Sequence, residues 1–244
     1  MPTETLTFDQ VHLGVPDPEI AARWYVEHLG AAPGDNSDRI WFGPTRIIFL
    51  KNASPAPSEG AAIDHFALAG NVGRVPSAFA KAPADRRSFS GGRPDPSIRP
   101  VQMDPAYIAD PWGTKIQLVE DAGPLRVHHV HLRVPDVEQA RSWYLDRFGG
   151  ERAALDGRPG IKYGDVWVLL DEGAAPPSRG HAIDHVGWRT PDLLALAAEV
   201  KRKGVTFSTE PQPGPPGAFS PVLMSFTEDP WGVKIELLQR HSDA

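Results

Sequence analysis

Residues 129–150 read HVHLRVPDVEQARSWYLDRFGG, and this stretch decides the fold. It opens on alternation: Val130, Leu132 and Val134 form one apolar row, with His129 and His131 on the opposite face, as in a strand with one side buried. The period then changes. Asp136 is a helix N-cap with Gln139 in the reciprocal capping-box place, and Val137, Ala140, Tyr144 and Phe148 recur at helical spacing until Gly149 closes the helix.

The same text occurs earlier in the chain. VHLGVPD at Val11–Asp17 returns as VHLRVPD at Val130–Asp136, AIDH at Ala62–His65 as AIDH at Ala182–His185, and DPWGTKIQL at Asp110–Leu118 as DPWGVKIEL at Asp229–Leu237. The offset stays at 119 or 120, so the 244 residues are two copies of a unit of about 120 residues. The expected units are 1–121 and 126–240, joined by a linker over Asp121–Arg126. Each begins with a strand (Phe8–Val15, His128–Val134) and a capped helix, with Asp17 and Pro18 opening the first. Short β-like runs follow, among them Arg39–Phe42, Thr45–Leu50, Ile161–Tyr163 and Val166–Leu170. The AIDH strand then starts a second strand–helix–strands series, with Leu193, Leu196, Ala197 and Val200 on one helix face. In the first copy Asn71–Ala84 carries Gly73, Pro76 and Pro83, which allows only a turn or two of helix there. The loops Gly91–Pro100 and Pro211–Pro221 read as rigid connections or as lids over a site. Trp112, Trp231, Trp24, Tyr25, Trp143 and Tyr144 read as packing residues.

Composition removes several function classes. With 41% hydrophobic and 23% charged residues the chain is globular, and it has no apolar run of about 18 residues that would span a bilayer. Its start, MPTETLTFDQ, lacks a signal-peptide layout, so a cytoplasmic location is expected. Zero cysteines exclude disulfides, thiolate catalysis and cysteine zinc sites. A net charge of -6 offers no footprint for nucleic acid or an anionic membrane. The expected partner is a small-molecule substrate, bound by a monomer or homodimer.

Four residues then stand out. His129 and His131 face away from the apolar row, His185 lies in the middle of IDHVGW, and Glu236 is a lone carboxylate in the apolar strand KIELL. A buried carboxylate needs a partner, a raised pKa or a metal. His129, His185 and Glu236 are two imidazoles and one carboxylate, a set that suits non-haem Fe(II). Each alone has an ordinary structural explanation, but they sit at the centres of three strands. In the first copy the matching positions are Gln10, His65 and Gln117, which supply no ligand charge, so that copy is expected to have lost its metal.

These motifs resemble the vicinal oxygen chelate superfamily of glyoxalases, bleomycin-resistance proteins and extradiol dioxygenases, over almost the whole chain. The resemblance implies an α+β fold of two tandem units, each of paired βαβββ modules forming a cupped, incomplete barrel. It also implies metal ligands at His129, His185 and Glu236, and a divalent ion: Fe(II) is favoured, with Mn, Zn or Ni as other fits. Extradiol-type ring cleavage of a substrate that chelates through adjacent oxygens is the leading expectation, because three ligands leave about three octahedral positions open. The acid/base set usual in those enzymes is missing: Phe226 stands where they carry a tyrosine, and Gln212–Ser220 has no histidine. His131 is the expected catalytic substitute, although His12 holds the same place in the other copy. The rivals are a glyoxalase-like lyase or isomerase with a fourth ligand at Asp171 or Glu172, and a drug-binding protein stacking a planar ligand on Trp167 and Trp188.

Overall fold

Two capped helices show how local sequence sets the elements. Asp17 is extended and its carboxylate accepts from the backbone N–H groups of Glu19 and Ile20, opening α1 (Pro18–Leu29), while Asp136 accepts from Gln139 N–H and opens α2 (Val137–Phe148). The computed structural model describes residues 6–72, 80–81, 101–104, 106–215 and 221–241. Most of Asn71–Ala84 and the loop Gly91–Pro100 lie outside the described residues.

The chain is α+β, in four modules, three of which are βαβββ; the second has strands alone among the described residues. The first holds β1 (Thr7–Val15), α1, β2 (Ala32–Pro33), β3 (Arg39–Phe42) and β4 (Thr45–Lys51). The second holds β5 (Ile63–Gly70), β6 (Ala80–Lys81), β7 (Val101–Asp104), β8 (Tyr107–Ala109) and β9 (Lys115–Glu120). The third holds β10 (Arg126–Val134), α2, β11 (Glu151–Leu155), β12 (Arg158–Tyr163) and β13 (Val166–Glu172). The fourth holds β14 (Ile183–Arg189), α3 (Leu193–Arg202), β15 (Phe207–Pro213), β16 (Leu223–Glu228) and β17 (Lys234–Gln239). No helix among the described residues is long and apolar enough to cross a membrane.

The sheets do not follow the repeats. One sheet runs β15-β16-β17-β14-β1-β4-β3-β2 and so joins the fourth module to the first; the other runs β11-β12-β13-β10-β5-β9-β8-β7-β6 and joins the third to the second. The seams are antiparallel pairs, β1 with β14 and β5 with β10, and they set His12 opposite His185 and His131 opposite His65. Both sheets are open, and the apolar rows Val11/Leu13/Val15 and Val130/Leu132/Val134 are fully buried in the core.

What ties a repeat together across the two sheets is the DPWG turn. Asp110 accepts from the N–H groups of Trp112 and Thr114 and, through its other oxygen, from the Tyr25 hydroxyl of α1 at 2.8 Å. Asp229 does the same for Trp231, Val233 and Tyr144 of α2. Trp112 and Trp231 pack edge-on to Trp24 and Trp143, both with ring centroids 5.8 Å apart. Burial pushes the Asp110 carboxyl up to about 6 despite the donors around it. A carboxyl raised in the folded state adds stability below its ordinary value of 3.8, which is lost as pH rises through about 6. Asp110→Asn does not titrate, so relative to wild type it is expected to gain on the order of 3 kcal/mol between pH 4 and pH 7 in urea unfolding. A difference independent of pH would refute this.

Candidate metal centres

Each seam carries a buried polar cluster. On the β1–β14 seam, Gln10 and His12 come from β1, His185 from β14 and Glu236 from β17, all buried. One oxygen of Glu236, Oε2, is the hub: His12 Nε2 lies 3.2 Å away, His185 Nε2 3.4 Å, and Gln10 Nε2 donates to it at 2.5 Å. The His12 and His185 rings stack at 4.0 Å. Neither Nε2 has a hydrogen-bond partner in line, so two buried imidazole nitrogens converge, unsatisfied, beside a carboxylate. A divalent cation fits that donor set.

The surroundings hold these groups in ligand form. Burial would raise the Glu236 carboxyl, but interaction with the His12 and His185 rings outweighs it and holds the carboxyl well below the usual range. His12 is lowered to about 4, by burial first and by His185 second, so it is neutral at pH 7. His185 Nδ1 meets Asp184 Oδ1 at 2.7 Å, and the same oxygen accepts from Lys234 Nζ at 2.7 Å. Arg240 donates to Gln10 Oε1 at 3.0 Å while also gripping Asp9. Gly187 lies across from Gln10, where a Cβ would come within 2.8 Å of Gln10 Cγ, so glycine leaves the room that amide occupies. A cavity of about 330 Å³ opens over the cluster, walled by Ile48, Met224, Phe226, Arg39 and Arg240. Pro215 and Pro221 of the loop expected as a lid line it as well; residues 216–220 between them lie outside the described residues.

The β5–β10 seam repeats the plan with different donors. His65 comes from β5, Gln117 from β9, and His129 and His131 from β10. His65 and His131 stack at 4.2 Å, and His129 Nε2 lies 3.0 Å from Gln117 Oε1. Tyr107 stands edge-on to His65 where Phe226 stands edge-on to His185.

The expected ligand set is thus divided. His185 and Glu236 come together, but His129 lies on the other sheet with His65 and His131, because β10 pairs with β5 and not with β14. The place expected for His129 beside Glu236 is taken by Gln10, and His12 supplies the second imidazole. His131, expected as an acid/base group at that centre, is away from it and bonded through Nδ1 to Asp171 Oδ2 at 2.9 Å. Asp171 is therefore a partner of His131 and no fourth ligand of Glu236's cluster. Trp188, expected to stack on a ligand, is 0% exposed and belongs to the core. The sequence marked His12 only as the counterpart of His131 and not as a ligand, although its place on the Gln10 face was a usable signal, and Asp64 and Asp184, the acids that directly precede His65 and His185, were not singled out.

The model of the Glyoxalase/Bleomycin resistance protein/Dioxygenase superfamily matches residues 126–237. No curated protein matches the chain in sequence. Among solved structures, glyoxalase I from Zea mays is similar in fold, with a TM-score of 0.65, 20% identity, and coverage of 98% of this chain and 94% of that one. A Bacillus subtilis protein named "putative dioxygenase" gives a TM-score of 0.63 at 14% identity, covering 98% and 86%. The second repeat thus matches the glyoxalase/bleomycin resistance protein/dioxygenase superfamily, its motifs recur in the first repeat, and the fold of the whole chain is similar to that of glyoxalase I.

Proposed function

We propose that the His12, His185 and Glu236 cluster holds a divalent ion, Fe(II) in the leading reading, and that the chain is an enzyme acting on a small molecule with two adjacent oxygens by ring-cleaving, dioxygenase-type chemistry. The observation that carries this is the convergence of two unsatisfied Nε2 atoms on Glu236 Oε2 at the floor of the cavity. When bound, the ion would lower the pKa of the substrate oxygens and accept their charge. The chain's own residues do the rest. Asp184 and Lys234 hold the His185 ring in one tautomer and orientation. Arg240 occupies Gln10 Oε1, which keeps that amide out of the ligand set and leaves three positions for substrate and oxygen. Phe226 and Met224 give the cavity an apolar side that excludes water, and Arg39 and Arg240 give it a cationic one.

A glyoxalase-like lyase or isomerase is the second reading, and Gln10 is what favours it. Its amide lies 2.5 Å from Glu236 Oε2, close enough to become a fourth donor after a turn away from Arg240, which would leave room for the two substrate oxygens alone. The two readings separate in one experiment. Protein purified without oxygen is loaded with Fe(II) or with Ni(II), then given catechols for oxygen uptake, and α-hydroxyketones in D₂O for exchange of the hydrogen next to the carbonyl. Uptake with Fe(II) alone supports the dioxygenase, exchange without oxygen supports the isomerase, and failure to bind either ion refutes both.

A further inference from the structure

We infer that the cluster on the β5–β10 seam, His65, His129 and His131, is a second and chemically different metal centre, built for a zinc-class divalent ion held by neutral imidazoles. The inference does not rest on the reading of Glu236's cluster. The ligand atoms of the three histidines lie within 4.8 Å of one another, and all three side chains are buried.

Orientation carries the argument. His65 Nδ1 meets Asp64 Oδ1 at 2.6 Å, and His131 Nδ1 meets Asp171 Oδ2 at 2.9 Å. A carboxylate acceptor at Nδ1 fixes the proton there and leaves the Nε2 lone pair for something else, which is the carboxylate–histidine arrangement found behind metal-bound imidazoles. His65 Nε2 is buried and has no hydrogen-bond partner to take that lone pair. Lys115 Nζ holds Asp64 at 3.0 Å and Arg158 reaches Asp171 at 3.4 Å, so both carboxylates are themselves anchored. Among the described residues, Glu236's cluster has one such pair, Asp184 with His185. Plain ring stacking would account for the 4.2 Å contact of His65 and His131. It would not require a separate carboxylate behind each ring or an unpartnered nitrogen in front of one.

The donor set then selects the ion. Three imidazoles bring no negative charge, and His129, which donates through Nε2 to Gln117 Oε1 at 3.0 Å and meets His128 Nδ1 through Nδ1 at 2.9 Å, would give up one of these bonds to join the other two. Imidazole donors suit zinc and its late first-row neighbours, and three of them leave a fourth tetrahedral position for the Gln117 oxygen, water or an anion.

Co(II) is the probe, added to metal-free full-length protein and read by equilibrium dialysis and by the visible spectrum of tetrahedral cobalt. In Glu236→Gln, which disables the other centre, one equivalent with tetrahedral bands is expected. Adding His131→Ala should abolish it, and adding Asp171→Asn should weaken it by about 10- to 100-fold. The Asp171 variant decides the matter if the His131 variant does not fold. No cobalt bound by Glu236→Gln, or binding that neither further change affects, would overturn the inference. If wild type binds one equivalent that Glu236→Gln removes, the carboxylate centre stands and this one falls; if Glu236→Gln binds the same single equivalent as wild type, the reverse holds.

Discussion

Glu236→Gln is expected to lose divalent-ion binding at the β1–β14 seam by at least about 100-fold, and with it all turnover. Loss of an outer-shell partner alone commonly costs 10- to 100-fold in affinity, and Glu236 is proposed as an inner ligand and brings the one carboxylate to the His12, His185 and Glu236 group among the described residues. The amide keeps the shape and can still accept from Gln10, so melting of the metal-free protein should move little. Competition against a chromogenic chelator, with Fe(II) or Co(II) and in the His131→Ala background that disables the histidine cluster, reads the affinity of the β1–β14 centre. Unchanged binding at that centre would remove the basis for the enzyme reading.

Trp188→Ala is expected to cost roughly 3–5 kcal/mol of stability. Trp188 stands on β14 with its ring against Phe8 at 5.6 Å, Tyr163 at 5.5 Å and, stacked, Phe148 at 6.3 Å. One side chain thereby joins three modules. For a chain of this length each kcal/mol lowers the melting temperature by about 2–4 °C, so a fall of roughly 6–20 °C should be seen by calorimetry. Had Trp188 been a stacking platform for a planar drug, the variant would lose ligand and keep its melting point.

Most of the local structure was legible in the sequence, because it depends on neighbours in the chain. Asp17 and Asp136 announce their helices, Gly149 ends one, and the alternation in His129–Val134 tells which side chains leave the core. The pairing of modules was not legible. β5 and β14 both open on Ile-Asp-His and go on in small or apolar residues, so β1 could bury its apolar row beside either, and alternation fixes register and face without saying which copy is the partner. That single ambiguity moved His129 from Glu236 to His65 and gave His12 a place that its amide-bearing neighbours had seemed to deny it. The role of Asp171 was hidden for a related reason: it lies close behind a histidine 40 positions away, and only the parallel pairing of β10 with β13 brings the two together.

The nesting of the modules also sets an order in time. The inner sheet closes from one contiguous stretch, β5 to β13, whereas the outer sheet needs the first strand and the last, and Gln10 is 226 residues from Glu236. At about 5–20 residues per second a ribosome takes roughly 11–45 s to span that interval, during which Gln10 has no Glu236 to meet. The histidine cluster can assemble while the chain is still being made. The carboxylate cluster exists only after β17 has emerged, so a ribosome that stalls before residue 234 leaves a nascent chain without it.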